Sequence, residues 1–250
     1  MQNRNGLVCY NNVMQELNSY MSQFGISLSE RQVFQFQTYY ELLIEWNERM
    51  NLTSITERKD VFRKHFMDSL SVLLAFPNPL PDYFSLIDVG SGAGFPGLPL
   101  KIVFPQIALS LLEATKKKCD FLNHICVELN LDTIVLNGRA EDVAQDTTYR
   151  EQYHAVVSRG LAKMANLCEL MLPLCRVDGR VIAQKKGEIK EELFSARKAI
   201  DVLGGMEEFI IPVSMPAMDD NRCLVVVRKI KNTPKQFPRR NGLPNKNPIR

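Results

Sequence analysis

Residues 86–97 read Leu-Ile-Asp-Val-Gly-Ser-Gly-Ala-Gly-Phe-Pro-Gly, an apolar strand that runs into a glycine-dense turn and then a helical pattern. Glycines suit such a turn because the backbone must adopt positive φ and a ligand must come close where a Cβ would collide. The helix that follows offers unpaired N–H groups. Two ligand classes use this arrangement. Dinucleotides take GxGxxG, a spacing met by Gly92, Gly94 and Gly97. S-adenosylmethionine takes an acidic residue followed by GxGxG, met by Asp88, Gly90, Gly92 and Gly94. The glycines alone do not choose between them.

Three further features favour S-adenosylmethionine. The turn follows about eighty residues of helical pattern, whereas a dinucleotide fold normally opens near its first strand. The second strand ends at Glu113, whose carboxylate can accept both ribose hydroxyls; either cofactor has a ribose, so this residue marks a nucleoside only, whereas an antiparallel last strand belongs to the methyltransferase sheet. After the third strand comes Asn137-Gly-Arg-Ala-Glu-Asp142, which offers a carboxylate to the exocyclic amine of adenine. Glycines in a tight turn with no ligand remain an alternative, a weak one because strand, turn, helix and acid occur in the right order.

The elements that must hold these residues are legible in the hydrophobic pattern. Ser29 with Gln32 forms a capping box and Leu28 with Val33 a hydrophobic staple, so a helix starts near residue 30 and keeps an apolar face to Trp46. A second helical pattern covers 59–75, and Pro77, Pro79 and Pro81 end it. From residue 84 short apolar runs alternate with helical stretches. Strands are expected at 85–89, 107–112, 133–136, 154–158, 180–184, 207–213 and 223–229, and helices at 97–103, 115–129, 163–174 and 188–203. Strands that are apolar throughout and separated by helices imply a mostly parallel sheet covered on both faces. The last two strands have no helix between them, only 212–221, and form an antiparallel pair. The expected divisions are a helical region over 1–80, a cofactor-binding domain over 81–230 and a basic, proline-rich tail over 231–250.

Composition bounds the rest. The chain has 250 residues, 45% hydrophobic and 24% charged, the proportions of a globular protein. It has no apolar run long enough to span a membrane and opens without a signal-peptide layout, so a cytoplasmic location is expected. Cys9, Cys119, Cys126, Cys168, Cys175 and Cys223 include no CxxC pair. The seven-residue spacings Cys119/Cys126 and Cys168/Cys175 fit thiols stacked on the inner stripe of helices. His65, His124 and His154 are isolated, and no metal site is expected. The net charge of +3 is uneven: residues 228–250 hold eight basic side chains and no acidic one. A basic tail on an acidic body points to a polyanion such as RNA, or to a solubilising end.

With these residues in view, the sequence resembles one family, the small-subunit (16S) ribosomal RNA guanine-N7 methyltransferases, also called the glucose-inhibited division protein B family. The resemblance rests on Trp46-Asn47, Met50-Asn-Leu-Thr53, Lys64-His65, Asp68-Ser-Leu70, the turn from Asp88 to Lys101, Lys117-Lys-Cys-Asp-Phe-Leu122, Gly138-Arg-Ala-Glu141, Ser158-Arg159, Gly179-Arg-Val181 and Pro234-Lys-Gln-Phe-Pro-Arg-Arg-Asn-Gly-Leu-Pro244. It implies a Rossmann-like class I methyltransferase fold, a seven-stranded sheet with an antiparallel last strand, carrying an N-terminal helical cap. It also implies that Gly90 and Phe95 line the cofactor, that Ala140 and Glu141 hold its adenine side and that Arg159 closes the pocket. Gly160 and Leu161 depart from the family's usual Ala-Val beside that arginine.

Guanine N7 carries an exposed lone pair and no proton, so an in-line displacement on a sulfonium methyl needs no general base. The marks of other base methylations are missing: there is no Asp/Asn-Pro-Pro-aromatic motif after the fourth strand and no Pro-Cys pair. His65 and Asp68, three apart on one helix, can face the same way; on the residues alone they read as a structural capping pair, while the resemblance implies a hydrogen-bonded pair that shapes the substrate cleft. Lys116, Lys117 and Lys118 at a helix start, Lys185 and Lys186 at a strand end, and Lys235, Arg239 and Arg240 in the tail are candidate RNA contacts or simply solvated cations. The expected cofactor-binding set is therefore Gly90, Gly92, Gly94, Phe95, Glu113, Ala140, Glu141 and Arg159, and the RNA-binding set His65, Lys185, Arg239 and Arg240. The expected partner is 16S ribosomal RNA or the small ribosomal subunit, with the enzyme a monomer. The competing readings are a dinucleotide-dependent oxidoreductase and an RNA-binding module that retains a nucleoside pocket.

Overall fold

The computed structural model describes residues 3–215 and 218–249. Helix α1 (Asn3–Ser22) buries Val13, Met14, Leu17, Tyr20 and Met21, one stripe at helical spacing. Helix α2 (Glu30–Met50) begins at the expected capping box: Gln32 N donates to Ser29 Oγ, and Ser29 N donates to Gln32 Oε1 at 2.8 Å. It ends where Asn51 turns left-handed at φ 49°.

The run expected as one helix over 59–75 is built from four pieces. Helix α3 (Arg58–Val61) leads into a π-helical turn (Phe62–Met67), then α4 (Asp68–Leu70) and a 3₁₀ turn (Ser71–Ala75). The wide turn lets Asp68 N donate back to Arg63 O and rotates the following side chains relative to an ideal helix.

The sheet contains β1 (Phe84–Val89), β2 (Ile107–Glu113), β3 (Thr133–Asn137), β4 (Tyr153–Arg159), β5 (Cys175–Lys186), β6 (Gly205–Met215) and β7 (Met218–Lys229), in the order β3-β2-β1-β4-β5-β7-β6. The first five pair in parallel, and β7 lies antiparallel between β5 and β6. The last three strands are longer than the sequence pattern suggested. Much of the stretch expected as a connection over 212–221 is ladder, with register kept to Met215 against Met218. Pro212 is tolerated because β6 is an edge strand. Between the strands run α5 (Gly97–Val103), α6 (Lys116–Glu128), α7 (Ala140–Val143), α8 (Met164–Met171) and α9 (Lys190–Val202).

Each face of the sheet has its own core. On one, Phe36, Tyr39, Leu43 and Phe66 of the N-terminal helices pack with Leu86, Leu98 and Leu122, so the helical region shares a core with the sheet. The other joins Val156, Leu167, Val181 and Ile200. Cys119, Cys126, Cys168, Cys175 and Cys223 are buried free thiols. Cys175 opens β5, so it does not share a helix stripe with Cys168.

The tail departs most from expectation. Basic and proline-rich, it nonetheless folds back onto the domain. Arg150 donates to the carbonyls of Thr233 at 2.9 Å and Phe237 at 2.8 Å, and Gln145 Nε2 donates to Pro238 O at 2.9 Å. Phe237 and Ile249 pack on the second core, and a short helix α10 (Leu243–Lys246) follows. Arg239 bonds with both N–H and guanidinium to Glu169, a carboxylate 1% exposed on the mostly apolar α8. A buried acid on an apolar helix needs a cation, and the tail supplies it.

Candidate active site

Strand order reverses between β1 and its two neighbours, β2 and β4, and such a point leaves a crevice at the carboxyl ends of the strands. Here it brings together the glycine turn after β1, Glu113 at the end of β2 and Arg159 at the end of β4. A cleft of about 390 Å³ lies there, lined among others by Gly90, Gly92, Glu113, Ala140, Glu141, Arg159, Leu161 and Asn245. That volume lies within the range of small-molecule sites.

The glycines of the turn serve different ends. Gly90, Gly92 and Gly94 all have positive φ. A Cβ on Gly92 would find no atom nearer than 3.9 Å, so that position faces open cleft. Gly92 N donates to Glu113 Oε2 at 3.0 Å while Thr115 N donates to Glu113 Oε1 at 2.8 Å. Each carboxylate oxygen keeps a lone pair for a further donor. A Cβ on Gly94 would strike Leu98 and the Tyr39 hydroxyl, and Phe95 lies beneath the helical cap, ring-stacked on Tyr39 at 5.3 Å and on His65 at 4.7 Å. Gly94 and Phe95, expected at the cofactor, are thus not among the residues that line the cleft. The turn points their space toward the cap.

Gly97 N donates to Asp88 Oδ2 at 2.8 Å, and a Cβ there would meet Leu111 at 2.7 Å. One N–H at the start of α5 is thus taken by the protein's own carboxylate. Asp88 is fully buried with Oδ1 unpartnered. Burial pushes its carboxyl up to about 7, against the pull of Gly97 N–H and Arg159.

Arg159 is the hub of the other side. NH1 donates to Asp68 Oδ2 at 2.9 Å, NH2 contacts His65 Nδ1 at 3.3 Å, and the guanidinium lies 4.9 Å over the Phe95 ring. Asp68, buried, also pairs with Arg222 NH1 at 2.5 Å from β7. His65 and Asp68 therefore converge on Arg159 rather than on each other, because the π-helical turn separates their directions. Nδ1 lies 3.1 Å from Lys64 O as well as 3.3 Å from Arg159 NH2, and Nε2 lies 2.8 Å from Thr53 Oγ1, so both ring nitrogens are engaged in either tautomer. Burial, reinforced by Arg159, lowers the His65 pKa to about 3, so the imidazole is neutral.

The remaining expected residues are distributed differently. Lys185 Nζ donates to Ala162 O at 2.7 Å and pairs with Glu192 at 2.6 Å, which ties down the loop after β4 instead of leaving a cation for RNA. Within that loop Gly160 is left-handed at φ 65°, and Leu161 covers Gly90, so this pair fits together locally. Glu141 Oε1 accepts from Gly242 N of the tail at 3.1 Å. Arg239 is held by Glu169, while Arg240 is exposed. Lys116 pairs with Asp120 and Lys118 lines the cleft. Arg222, Gln184 and Asn245 were not singled out by the sequence pattern. A charged residue opening the apolar run of β7 was the available signal for Arg222.

The order of the strands and the crevice at β1, β2 and β4 define a class I methyltransferase fold. A model of the GidB family, described as rRNA small subunit methyltransferase G, matches residues 32–221, and the chain belongs to that family. Ribosomal RNA small subunit methyltransferase G of Dehalococcoides mccartyi strain CBDB1 is 52% identical over 237 residues, covering 94% of this chain and 100% of that protein. The Bacillus subtilis strain 168 protein of the same name is 44% identical, with coverage of 94% and 98%. Among solved structures, a point mutant of MtNAS in complex with S-adenosylmethionine superposes with a TM-score of 0.52 at 13% identity, covering 79% of this chain and 76% of that one. That likeness concerns the fold.

Proposed function

We propose that the chain transfers a methyl group from S-adenosylmethionine to N7 of a guanine in small-subunit (16S) ribosomal RNA. The observation that carries this reading is the meeting, in one cleft, of the Glu113 carboxylate with the open face of Gly92 and the Arg159 hub, in a chain of this family. The donor set fits the cofactor. Glu113 would accept ribose hydroxyls, Ala140 and Glu141 would border adenine, and Gly90 and Gly92 would let the chain of the cofactor pass close to the main chain.

S-adenosylmethionine supplies an electrophilic methyl on a sulfonium. Guanine N7 attacks it without losing a proton, so the protein's contribution is placement, which in near-attack geometry supplies roughly 7–11 kcal/mol. Arg159, fixed by Asp68 and stacked over Phe95, is the group placed to bond an acceptor edge of guanine or a phosphate. His65, neutral and fully bonded, orients that arginine and does not act as a base. The enzyme works in the cytoplasm as a monomer, on ribosomal RNA or the small subunit. No helix among the described residues is long and apolar enough to cross a membrane, and no group of His, Cys, Asp or Glu among them could hold a metal.

The test incubates the protein with methyl-labelled S-adenosylmethionine and ribosomal RNA, and separately measures binding of S-adenosylmethionine and NAD by calorimetry. Label in the RNA and binding of the sulfonium cofactor alone are expected. NAD binding without transfer would favour an oxidoreductase, and RNA binding without either a non-catalytic module.

A further inference from the structure

The tail that folds back does more than cover the second core. Its last turn reaches the cleft, where Asn245 is a lining residue. Three consecutive attachments bring it there. Asn241 Nδ2 donates to Asp142 Oδ2 at 3.0 Å, Gly242 N donates to Glu141 Oε1 at 3.1 Å, and Asn245 Oδ1 accepts from Asn166 Nδ2 of α8 at 2.9 Å. Two of the three land on α7, the element that borders the expected adenine side. The anchoring of the tail as a whole does not need them, since Arg150, Gln145 and Glu169 already hold 233–239.

We infer that residues 241–247 form a wall of the cofactor cleft and that Asn245 is an adenosine-contacting residue. This rests on the reading of the cleft as an S-adenosylmethionine site. Because its Oδ1 is taken by Asn166, the Asn245 amide nitrogen is the group left to donate, and its match is a ring nitrogen of adenine, an acceptor that the carboxylates of Glu113 and Glu141 cannot serve. Glu141 thereby has two tasks: it borders the adenine, and its Oε1 fixes the strap that carries Asn245. Cofactor and tail then order each other, and the tail binds the product S-adenosylhomocysteine as it binds the donor, because the adenosine is common to both.

The experiment titrates S-adenosylmethionine and S-adenosylhomocysteine into the full chain, into Asn245→Ala and into a chain ending at Asn241. Hydrogen exchange of the wild-type tail is followed with and without S-adenosylhomocysteine. Asn245 is exposed, so its replacement leaves the fold in place. The expected results are a loss of about three- to tenfold in affinity for both ligands in Asn245→Ala, a loss at least as large in the shortened chain, and slower exchange of 241–247 when ligand is bound to the wild type. Unchanged affinity in Asn245→Ala, or tail exchange indifferent to ligand in a wild-type protein that binds it, overturns the inference. A wild-type protein that binds neither ligand overturns the cofactor reading itself.

Discussion

The two sides of the cleft are held by different means. On the glycine-turn side the bonds are main-chain N–H groups to carboxylates: Gly92 and Thr115 to Glu113, and Gly97 to Asp88. On the Arg159 side they are long-range bonds between side chains from the cap and from β4 and β7, centred on one buried carboxylate between two arginines. Close main-chain geometry leaves no room for a Cβ at Gly94 or Gly97 but carries few charges that depend on distant partners. A buried ionic cluster is the reverse, because removing one member leaves the others uncompensated.

The largest effect should follow from breaking that cluster. Asp68→Ala leaves Arg159 and Arg222 without their shared carboxylate and should destabilise the fold by about 3–5 kcal/mol, read as a lowered urea midpoint. A loss below about 1 kcal/mol would mean that the two arginines re-pair or hydrate freely and that the contrast between the sides is overdrawn.

Next is Gly92→Val. The side chain enters open cleft, so cofactor affinity should fall at least about 100-fold, equivalent to about 2.7 kcal/mol. The fold itself should lose only the roughly 1–2 kcal/mol of a left-handed residue. Calorimetry beside circular dichroism separates the two, and retained affinity would remove Gly92 from the cofactor side.

His65 gives a pH test of the Arg159 side. Its pKa is about 3 in the folded protein against 6.5 unfolded, so the unfolded chain binds the extra proton between these values. The stability it contributes is present above pH 6.5 and is lost as pH falls toward 3. Between pH 7.5 and 5 that amounts to about 2 kcal/mol, which His65→Gln should abolish. Asp88, with its carboxyl raised, acts in the opposite sense as pH rises toward 7 in both proteins, so the difference between them isolates the histidine. Parallel pH profiles would place His65 in a wetter setting than the stacked one described.

The smallest effect concerns the exposed cations of the tail. Replacing Lys235, Arg240 and Lys246 by alanine should leave stability unchanged and flatten the salt dependence of RNA binding by roughly 0.7–0.9 per lost phosphate contact. An unchanged slope would move the RNA away from this surface.

The turn was readable because its constraints are local: Asp88, the glycines and Glu113 are each fixed by the strand in which they stand. The seven strands, their mostly parallel pairing and the helical cap were readable too, from periodicity together with the family resemblance. The Arg159 cluster was only half readable, because the π-helical turn that aims His65 and Asp68 leaves no mark in apolar spacing, and Arg222 arrives from β7 across the sheet. The tail misled for a similar reason. Two of the cations over 228–250 stand in β7, where Arg228 pairs with Asp178 and Lys229 with Glu151, and in the tail Lys231 pairs with Asp201 and Arg239 with Glu169. Each partner is distant in sequence, so the tail reads as a basic polyelectrolyte until it is folded.

The position of the transferred methyl group tests the central claim most directly. After reaction with methyl-labelled S-adenosylmethionine, the small-subunit RNA is cleaved at N7-methylated guanines and the labelled fragment ends are mapped. One labelled guanine, released by that cleavage, is expected, because N7 carries no proton and attacks the methyl without a base. Label that resists the cleavage, on an exocyclic amine, a ring carbon or a ribose, would contradict it.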